Sequence, residues 1–525
     1  MRKRFFSVIS TACLTLAGVA GCSLIFDPDE LALGGGPDGA TDGGALVDVG
    51  ELDATPPDAD PLERELEIRP GAVFEGAGSS GTPIPVVFSG PGFAPDLSIT
   101  SSAELVAIES WEVSSDGSMA AARLRVAVDE ELDRGDSRIV TLTLFQQNDG
   151  WSDEVDLEVV GLNELSLEGS YSVRSDTFDA LYSRIVTEGR TELTGGSAAR
   201  LVATGSIAIS HDLVASGGLR VDGDGDRVPG AGGCEGGAAG NDGDCGEAGG
   251  KGASDSGSGG GGGGHDGPGD DGHGDDSGGG GARAGNALLS PLGGDSGDDD
   301  GGARGHGGGG GHAATLGEAG RGGHGGGVIE VSAWGDVVIG AEVIADGEDG
   351  ARGGTGIATC WGGGGGGSGG ALLVRAGGEL QASGGALLAR GGQGGLGRGD
   401  GCDSDGGNGA IGRIRVDVPG RELVSGLEEL EPAPARGPMW EAVLPAIVQS
   451  SPLSIDFIAE PGVGQYAVTL DDTVSATATP EINGRGTFEV SFESAGLYEV
   501  CLLVPQAFDR TRPESKNCRD VAYLP

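Results

Sequence analysis

Between about Gly217 and Gly412 glycine outnumbers every other residue, and short apolar strings stand in it like islands. No other feature restricts the possible folds as strongly. A Gly, Asp and Ser chain loses much backbone entropy on ordering and has little apolar surface to offset it. Taken alone, that composition favours disorder. The islands point the other way.

Two islands can be laid on each other. One runs Val328-Ile329-Glu330-Val331, through Gly335 to Val337, then Val343-Ile344-Ala345 and Gly347. The other runs Ala371-Leu372-Leu373-Val374, through Gly378 to Leu380, then Leu387-Leu388-Ala389 and Gly391. The match needs a slip of one residue and defines an internal repeat. A truncated earlier copy begins at Gly205 with Ile207 and Ile209, and a closing half-copy carries Ala410, Ile411, Ile414 and Val416. The last three copies recur at roughly 40-residue spacing, which suits stacked units, each a strand, a tight turn, a second strand and a glycine excursion.

Such a unit cannot bury its apolar face alone, so residues 166–425 are expected to form a glycine-rich β-solenoid-like repeat domain with long Gly loops. Residues from about 217 to 326 read as a low-complexity insertion and are expected to be its least ordered part. Gly362 to Gly367 can take the extended polyproline-II-like helix, and several such segments side by side could satisfy one another's N–H and C=O groups. Only glycine packs that closely. Collagen is excluded because no strict Gly-X-Y period runs through the region. The alternation of islands and glycine runs resembles the glycine-rich domains of receptor tyrosine kinase ectodomains and of many bacterial surface proteins.

The chain starts with a processing signal. Arg2-Lys3-Arg4 is a cationic n-region and Phe5 to Ala20 an apolar h-region too short to span a bilayer comfortably. Val19-Ala20-Gly21-Cys22 resembles the bacterial lipobox. That resemblance implies a signal peptide over 1–21, cleavage before Cys22 and acylation there, with Ser23 implying sorting to the outer membrane. Several acyl chains hold a membrane durably, at about 0.8 kcal/mol per buried CH₂. Residues 22–65 read as an acidic Gly/Pro linker that repels itself and holds the folded part away from the lipid.

Two stretches alternate like half-buried strands. Within 66–165, Arg123 to Val128, Val140 to Leu144 and Val155 to Val159 each have one apolar and one polar face, separated by turns such as Ser114 to Gly117 and Asn148 to Gly150. About seven short strands in such a length predict a β-sandwich. The Ser89-Gly-Pro-Gly-Phe93 turn is similar to bacterial Ig-like domains of the IPT/TIG kind, and Trp111 is expected between the sheets. Tyr171, Phe178 and Tyr182 read as a capping rung for the repeat domain. After a Pro-stiffened linker at 426–439, residues 440–525 predict a second sandwich. There Thr487 to Phe492 and Leu497 to Val504 flank Ser494-Ala-Gly496 as an expected hairpin, and Gly496 to Val500 resembles the penultimate strand of PKD-like or related Ig-like domains. The fold class is therefore mainly β, two Ig-like β-sandwiches flanking the glycine-rich repeats.

Counting 32 basic against 81 acidic residues, the formal net charge of −49 excludes nucleic acid as a partner, since that binding depends on cationic neutralisation of phosphates. Of eight cysteines, Cys13 leaves with the signal and Cys22 carries lipid. The remaining six suggest three disulfides among fifteen connectivities. Proximity favours Cys234 with Cys245, Cys360 with Cys402, and Cys501 with Cys518. No CxxC pair supports zinc ligation.

One run, Asp222-Gly-Asp224-Gly-Asp226, resembles the opening of a calcium loop, and its alternate carboxylates are the candidate metal site. It departs from an EF-hand at Arg227, where the glycine belongs, and at Gly233, where the bidentate Glu belongs. Asp298-Asp299-Asp300 and Asp346-Gly-Glu348-Asp349 are lesser candidates; His265, His273, His306, His312 and His324 read as solvated loop residues. No Gly-x-Ser-x-Gly elbow and no oriented Ser/His/Asp set is found. The reading is a lipid-anchored, non-enzymatic outer-membrane envelope protein, periplasmic or surface-exposed, with a structural, adhesive or partner-binding role and an envelope protein or polysaccharide as its partner. The alternatives are a polysaccharide lyase-like enzyme on a β-helix, which needs acidic and basic residues converging on one face, and a calcium-dependent binding module.

Overall fold

The computed structural model describes residues 66–525 except 81–82, 91, 130–131, 175–176, 179, 221–226, 245–247, 255–257, 266–267, 283–306, 310–318, 355–359, 400–402, 420–425, 428, 436–438, 459–464, 472, 482–483 and 504–515. The described residues form strands and no α-helix, so the chain is mainly β.

The first module contains β1 (Glu67–Arg69), β2 (Ala72–Phe74), β3 (Ile84–Ser89), β4 (Leu97–Ser101), β5 (Val106–Val113), β6 (Met119–Val126), β7 (Ser137–Gln146) and β8 (Ser152–Val160). They make two four-stranded sheets, ordered β1-β3-β6-β5 and β2-β8-β7-β4. Alternation does the sorting: Val140, Leu142 and Leu144 turn inward from β7 and meet Val86, Phe88, Leu124 and Val126 in one apolar core. Trp111 does not lie in that core. It is 37% exposed on β5, and its Nε1 donates to the Leu97 carbonyl at 2.6 Å, tying β5 to β4.

The second module begins with β9 (Glu164–Ser172), β10 (Leu181–Tyr182), β11 (Arg184–Thr194), β12 (Ala199–Ala203), β13 (Ile207–Ile209), β14 (Leu213–Val214), β15 (Leu219–Arg220) and β16 (Arg227–Val228). It continues with β17 (Val328–Ala333), β18 (Val337–Ile339), β19 (Glu342–Ile344), β20 (Ala371–Ala376), β21 (Leu380–Ala382), β22 (Ala386–Leu388), β23 (Arg413–Asp417) and β24 (Glu429–Glu431). Two sheets of parallel strands face each other, β10-β12-β17-β20-β23 and β21-β18-β13-β11-β14-β19-β22-β24, with β9 against β11. The aligned apolar strings lie directly over one another: Ile329 pairs with Leu372, Val331 with Val374, Val337 with Leu380 and Val343 with Leu387. Their one-residue slip falls between β21 and β22, where Ser383, Gly384 and Gly385 stand opposite Gly340 and Ala341. Gly384, at φ +86°, makes the turn that the extra residue requires.

Ile329, Val331, Leu372, Val374, Ile414 and Val416 point into a shared core with Ile207, Ile209, Val337, Ile339, Val343 and Leu387. Each such side chain contributes about 1.5–3 kcal/mol when fully buried. The opposite face of β20 and β23 carries charged side chains. Arg375, Arg413, Arg415 and Asp417 lie on it and are buried, with Arg415 Nη2 donating to Asp417 Oδ2 at 2.6 Å.

The glycine runs are packed threads, not loops standing off the strands. Gly364, Gly367 and Gly370 donate to the carbonyls of Ala351, Glu348 and Ala345, while Gly363, Gly366 and Gly369 donate to Ser404, Gly407 and Ala410. The carbonyls of Gly362, Gly365 and Ser368 accept from Gly320, Gly323 and Gly326, and those of Gly363 and Gly366 accept from Gly260 and Gly263. A three-residue period belongs to the polyproline-II helix, which has no internal hydrogen bonds and so offers each group outward. A Cβ on Gly364 would lie 1.9 Å from the Arg321 carbonyl oxygen, and one on Gly367 2.1 Å from that of His324. The described parts of the stretch expected to be least ordered, residues 258–264 and 307–309 among them, are woven into this bundle.

The third module contains β25 (Met439–Trp440), β26 (Ile447–Val448), β27 (Leu453–Ile458), β28 (Tyr466–Leu470), β29 (Thr473–Ala478), β30 (Arg485–Val490), β31 (Gly496–Leu503) and β32 (Lys516–Tyr523). Its sheets run β25-β27-β30 and β26-β32-β31-β28-β29, around Trp440, Phe457, Tyr466, Phe488 and Val500. The hairpin expected about Ser494 to Gly496 is not formed, because β30 and β31 belong to different sheets and the segment crosses from one to the other. Val490 and Val500 then share the core between those sheets. The modules touch: Val87 and Ala121 pack with Ile447, Ala522 and Leu524, and Phe74 meets Trp334 edge-on at 6.0 Å.

Candidate functional site: an acidic cleft beside a buried His and Glu bridged by arginines

β11 ends at Thr194, and Gly195 turns the chain there with φ +111°. A bridge between Thr194 and Gly230 brings Val228 and Pro229 alongside. The chain then continues to Glu235, whose carbonyl accepts the Asp244 N–H at 2.9 Å. Ser172, Thr194, Val228, Pro229, Glu235 and Asp244 thereby line a cleft of about 410 Å³.

Directly behind Glu235, Gly236 N–H donates to His324 Nδ1 at 3.0 Å, and Arg321 Nη1 reaches His324 Nε2 at 2.8 Å. Arg321 Nη2 donates to Glu348 Oε1 at 2.8 Å, and Arg227 Nη1 donates to the same oxygen at 2.5 Å. The other carboxylate oxygen accepts the His324 N–H at 3.2 Å. Burial lowers the His324 pKa and the Arg321 guanidinium adds to that, against the pull of Glu348 and Glu235. The ring is therefore held neutral at neutral pH, one nitrogen accepting from the neighbouring N–H and the other carrying the ring proton.

Cys501 and Cys518 lie opposite each other on β31 and β32 and are disulfide-bonded, with Cα atoms 4.0 Å apart. Cys234 and Cys360 are each disulfide-bonded, while Cys245 and Cys402 lie outside the described residues. Cys22, Asp222, Asp224, Asp226 and Asp298 to Asp300 also lie outside them. The strands that flank the Asp222 run pair with each other, Leu219 with Val228 and Arg220 with Arg227.

The Asp346-Gly-Glu348-Asp349 candidates do not converge on an ion. Asp346 is held by Arg390 through Nε at 3.0 Å and Nη2 at 2.7 Å, Glu348 by two arginines, and Asp349 Oδ1 accepts the Gln393 N–H at 2.7 Å. Among the described residues one trio of potential ligand groups lies within 4.8 Å, Glu499 with Cys501 and Cys518, and its two sulfurs are already in the disulfide.

The histidines do not all stand in solvent as expected. His265 and His324 are buried, His265 with Nδ1 2.7 Å from the Gly369 carbonyl, whereas His273 is exposed beside Asp403 at 2.9 Å. His306 and His312 lie outside the described residues. Sequence reasoning missed the network because Arg227 and Glu348 stand 121 residues apart with no local signal joining them. No protein-family model matches the chain, and no curated protein or solved structure matches it.

Proposed function

We propose that this chain is a lipid-anchored protein of the outer membrane, attached at Cys22, whose role is structural, adhesive or partner-binding rather than catalytic. The glycine bundle carries the reading. Along the belt, polar side chains hold chain to chain: His265 engages the Gly369 carbonyl, Arg390 clamps Asp346, and Arg227 and Arg321 share Glu348. Groups used in this way brace a scaffold.

The architecture supports the same conclusion. The stacked parallel strands suit a β-solenoid, and the flanking modules suit Ig-like sandwiches. In the third module the Tyr498 hydroxyl donates to the Ser494 carbonyl at 2.8 Å, the arrangement of a tyrosine corner at the start of a strand. Arg375, Arg415 and Asp417 converge on one face, as a lyase would need, but they are buried and paired there, which favours a bracing role.

The test is fractionation. Cys22→Ala should move the protein from the membrane to the soluble fraction and abolish palmitate labelling, and continued membrane retention would overturn the anchoring. Protease treatment of intact cells then decides between display at the surface and residence in the periplasm.

A further inference from the structure

The cleft beside Thr194 has a definite chemical character. Its two carboxylate residues, Glu235 and Asp244, are joined by a main-chain hydrogen bond, both line the cleft and both are exposed. Among the described residues, no lysine or arginine lines the cleft. The nearest guanidinium in sequence, that of Arg227, is turned to Glu348 instead. His324, behind Glu235, is uncharged and does not cancel the field. Thr194 Oγ1 donates to the Tyr171 carbonyl at 3.4 Å, which leaves its oxygen able to accept, and Ser172 adds a second hydroxyl to the lining. Val228 and Pro229 supply an apolar wall between these polar groups.

An anion would be repelled here. A divalent cation wants several oxygens at about 2.3–2.6 Å, and the described trio with close-set ligand atoms lies in another module. An ammonium group on a methylene chain fits both parts of the lining, its charge against the carboxylates and its stem along Val228 and Pro229. The volume is of the size that small-molecule sites occupy, and the chain's net charge of −49 raises the local concentration of cations.

We infer that this cleft binds an aliphatic primary amine, supplied either by a free polyamine or by a lysine side chain of a partner. The inference does not depend on the anchoring at Cys22, and fractionation of the variants below should match the parent.

The experiment is calorimetric titration of the purified full-length protein with spermidine and, separately, with a tetralysine peptide at fixed ionic strength. Saturable one-site binding is expected for at least one of them. The double variant Glu235→Gln/Asp244→Asn should weaken it about ten-fold or more, and Glu154→Gln, an exposed carboxylate on β8, should change it by less than about two-fold. Both substitutions in the double variant are at exposed side chains, and an unchanged melting curve verifies its folding. Tighter binding of spermidine identifies a free polyamine, and tighter binding of tetralysine a partner's lysine. Equal binding by the double variant and the parent, or an equal loss in Glu154→Gln, would overturn the site and leave diffuse attraction of counterions.

Discussion

Arg227 and Arg321 donate to the same oxygen of Glu348, at 2.5 and 2.8 Å, so β16 and the glycine threads are pinned to the chain that leaves β19. His324 completes the knot by donating its own backbone N–H to that carboxylate.

Stability of this region should fall as the solution is acidified through the histidine range. Burial holds His324 below its ordinary value of 6.5, so the unfolded chain binds more protons than the folded one near that pH. The contribution is complete above about 6.5 and is lost as pH falls through the lowered folded value. Protonation also removes the ring's one acceptor nitrogen, and with it the hydrogen bond that nitrogen accepts, from Gly236 at Nδ1 or from Arg321 at Nε2 according to the tautomer. Amide exchange across residues 320–326 should accelerate between about pH 7 and pH 5 relative to the first module, and His324→Gln should flatten that dependence.

Glycine substitutions should divide sharply within the bundle. Gly364→Ala and Gly367→Ala place a methyl about 2 Å from neighbouring carbonyl oxygens, with no flexible side chain to yield, and each should cost about 3 kcal/mol or more. Gly279→Ala meets nothing closer than Asp271 Oδ1 at 3.8 Å and should be neutral or stabilise by about 0.4–1 kcal/mol. Thermal melts of the three variants against the parent measure the contrast.

The Cys501–Cys518 bridge closes a separation of 17 residues, for which restricting the unfolded chain contributes about 3 kcal/mol. Replacing both cysteines by Ala should lower the melting temperature of the third module and leave the parallel stack unaffected. Calorimetry with the first two modules as internal reference reads this directly.

Asp520 should give that module the opposite pH response. It pairs in register with Glu499, whose N–H donates to Asp471 Oδ1 at 2.8 Å. Burial first, then Glu499 and Asp471, push its carboxyl up to about 8 from an ordinary 3.8, against the pull of Arg519. The folded module keeps a proton that the unfolded chain releases, so its stability falls as pH rises across that window. Asp520→Asn should match the parent near pH 4 and be the more stable of the two near pH 8, as read by melting temperature.

Side-chain periodicity explains what the sequence made legible. Val331 over Val374 and Val343 over Leu387 could be aligned because alternation marks the inward face and the slip is a single residue. Alternation does not say which sheet a strand joins, so Thr487 to Phe492 and Leu497 to Val504 read as a hairpin although β30 and β31 lie in different sheets. In the bundle, glycine carries no side chain to mark its neighbours, and the pairing of Gly366 with Gly407 is visible only in three dimensions. The knot at Glu348 and the cleft beside it join parts of the chain brought together only by the fold. Asp222, Asp224 and Asp226 were the more conspicuous candidates because their spacing is local.

The bundle's hydrogen bonds fall at every third residue, at Gly364, Gly367 and Gly370 on one side and at Gly363, Gly366 and Gly369 on another. Adding or removing one or two residues within a thread would rotate all later donors away from their acceptors. Homologous chains should therefore differ in thread length by multiples of three, and a frame of three amino acids becomes the unit in which this scaffold can grow or shrink.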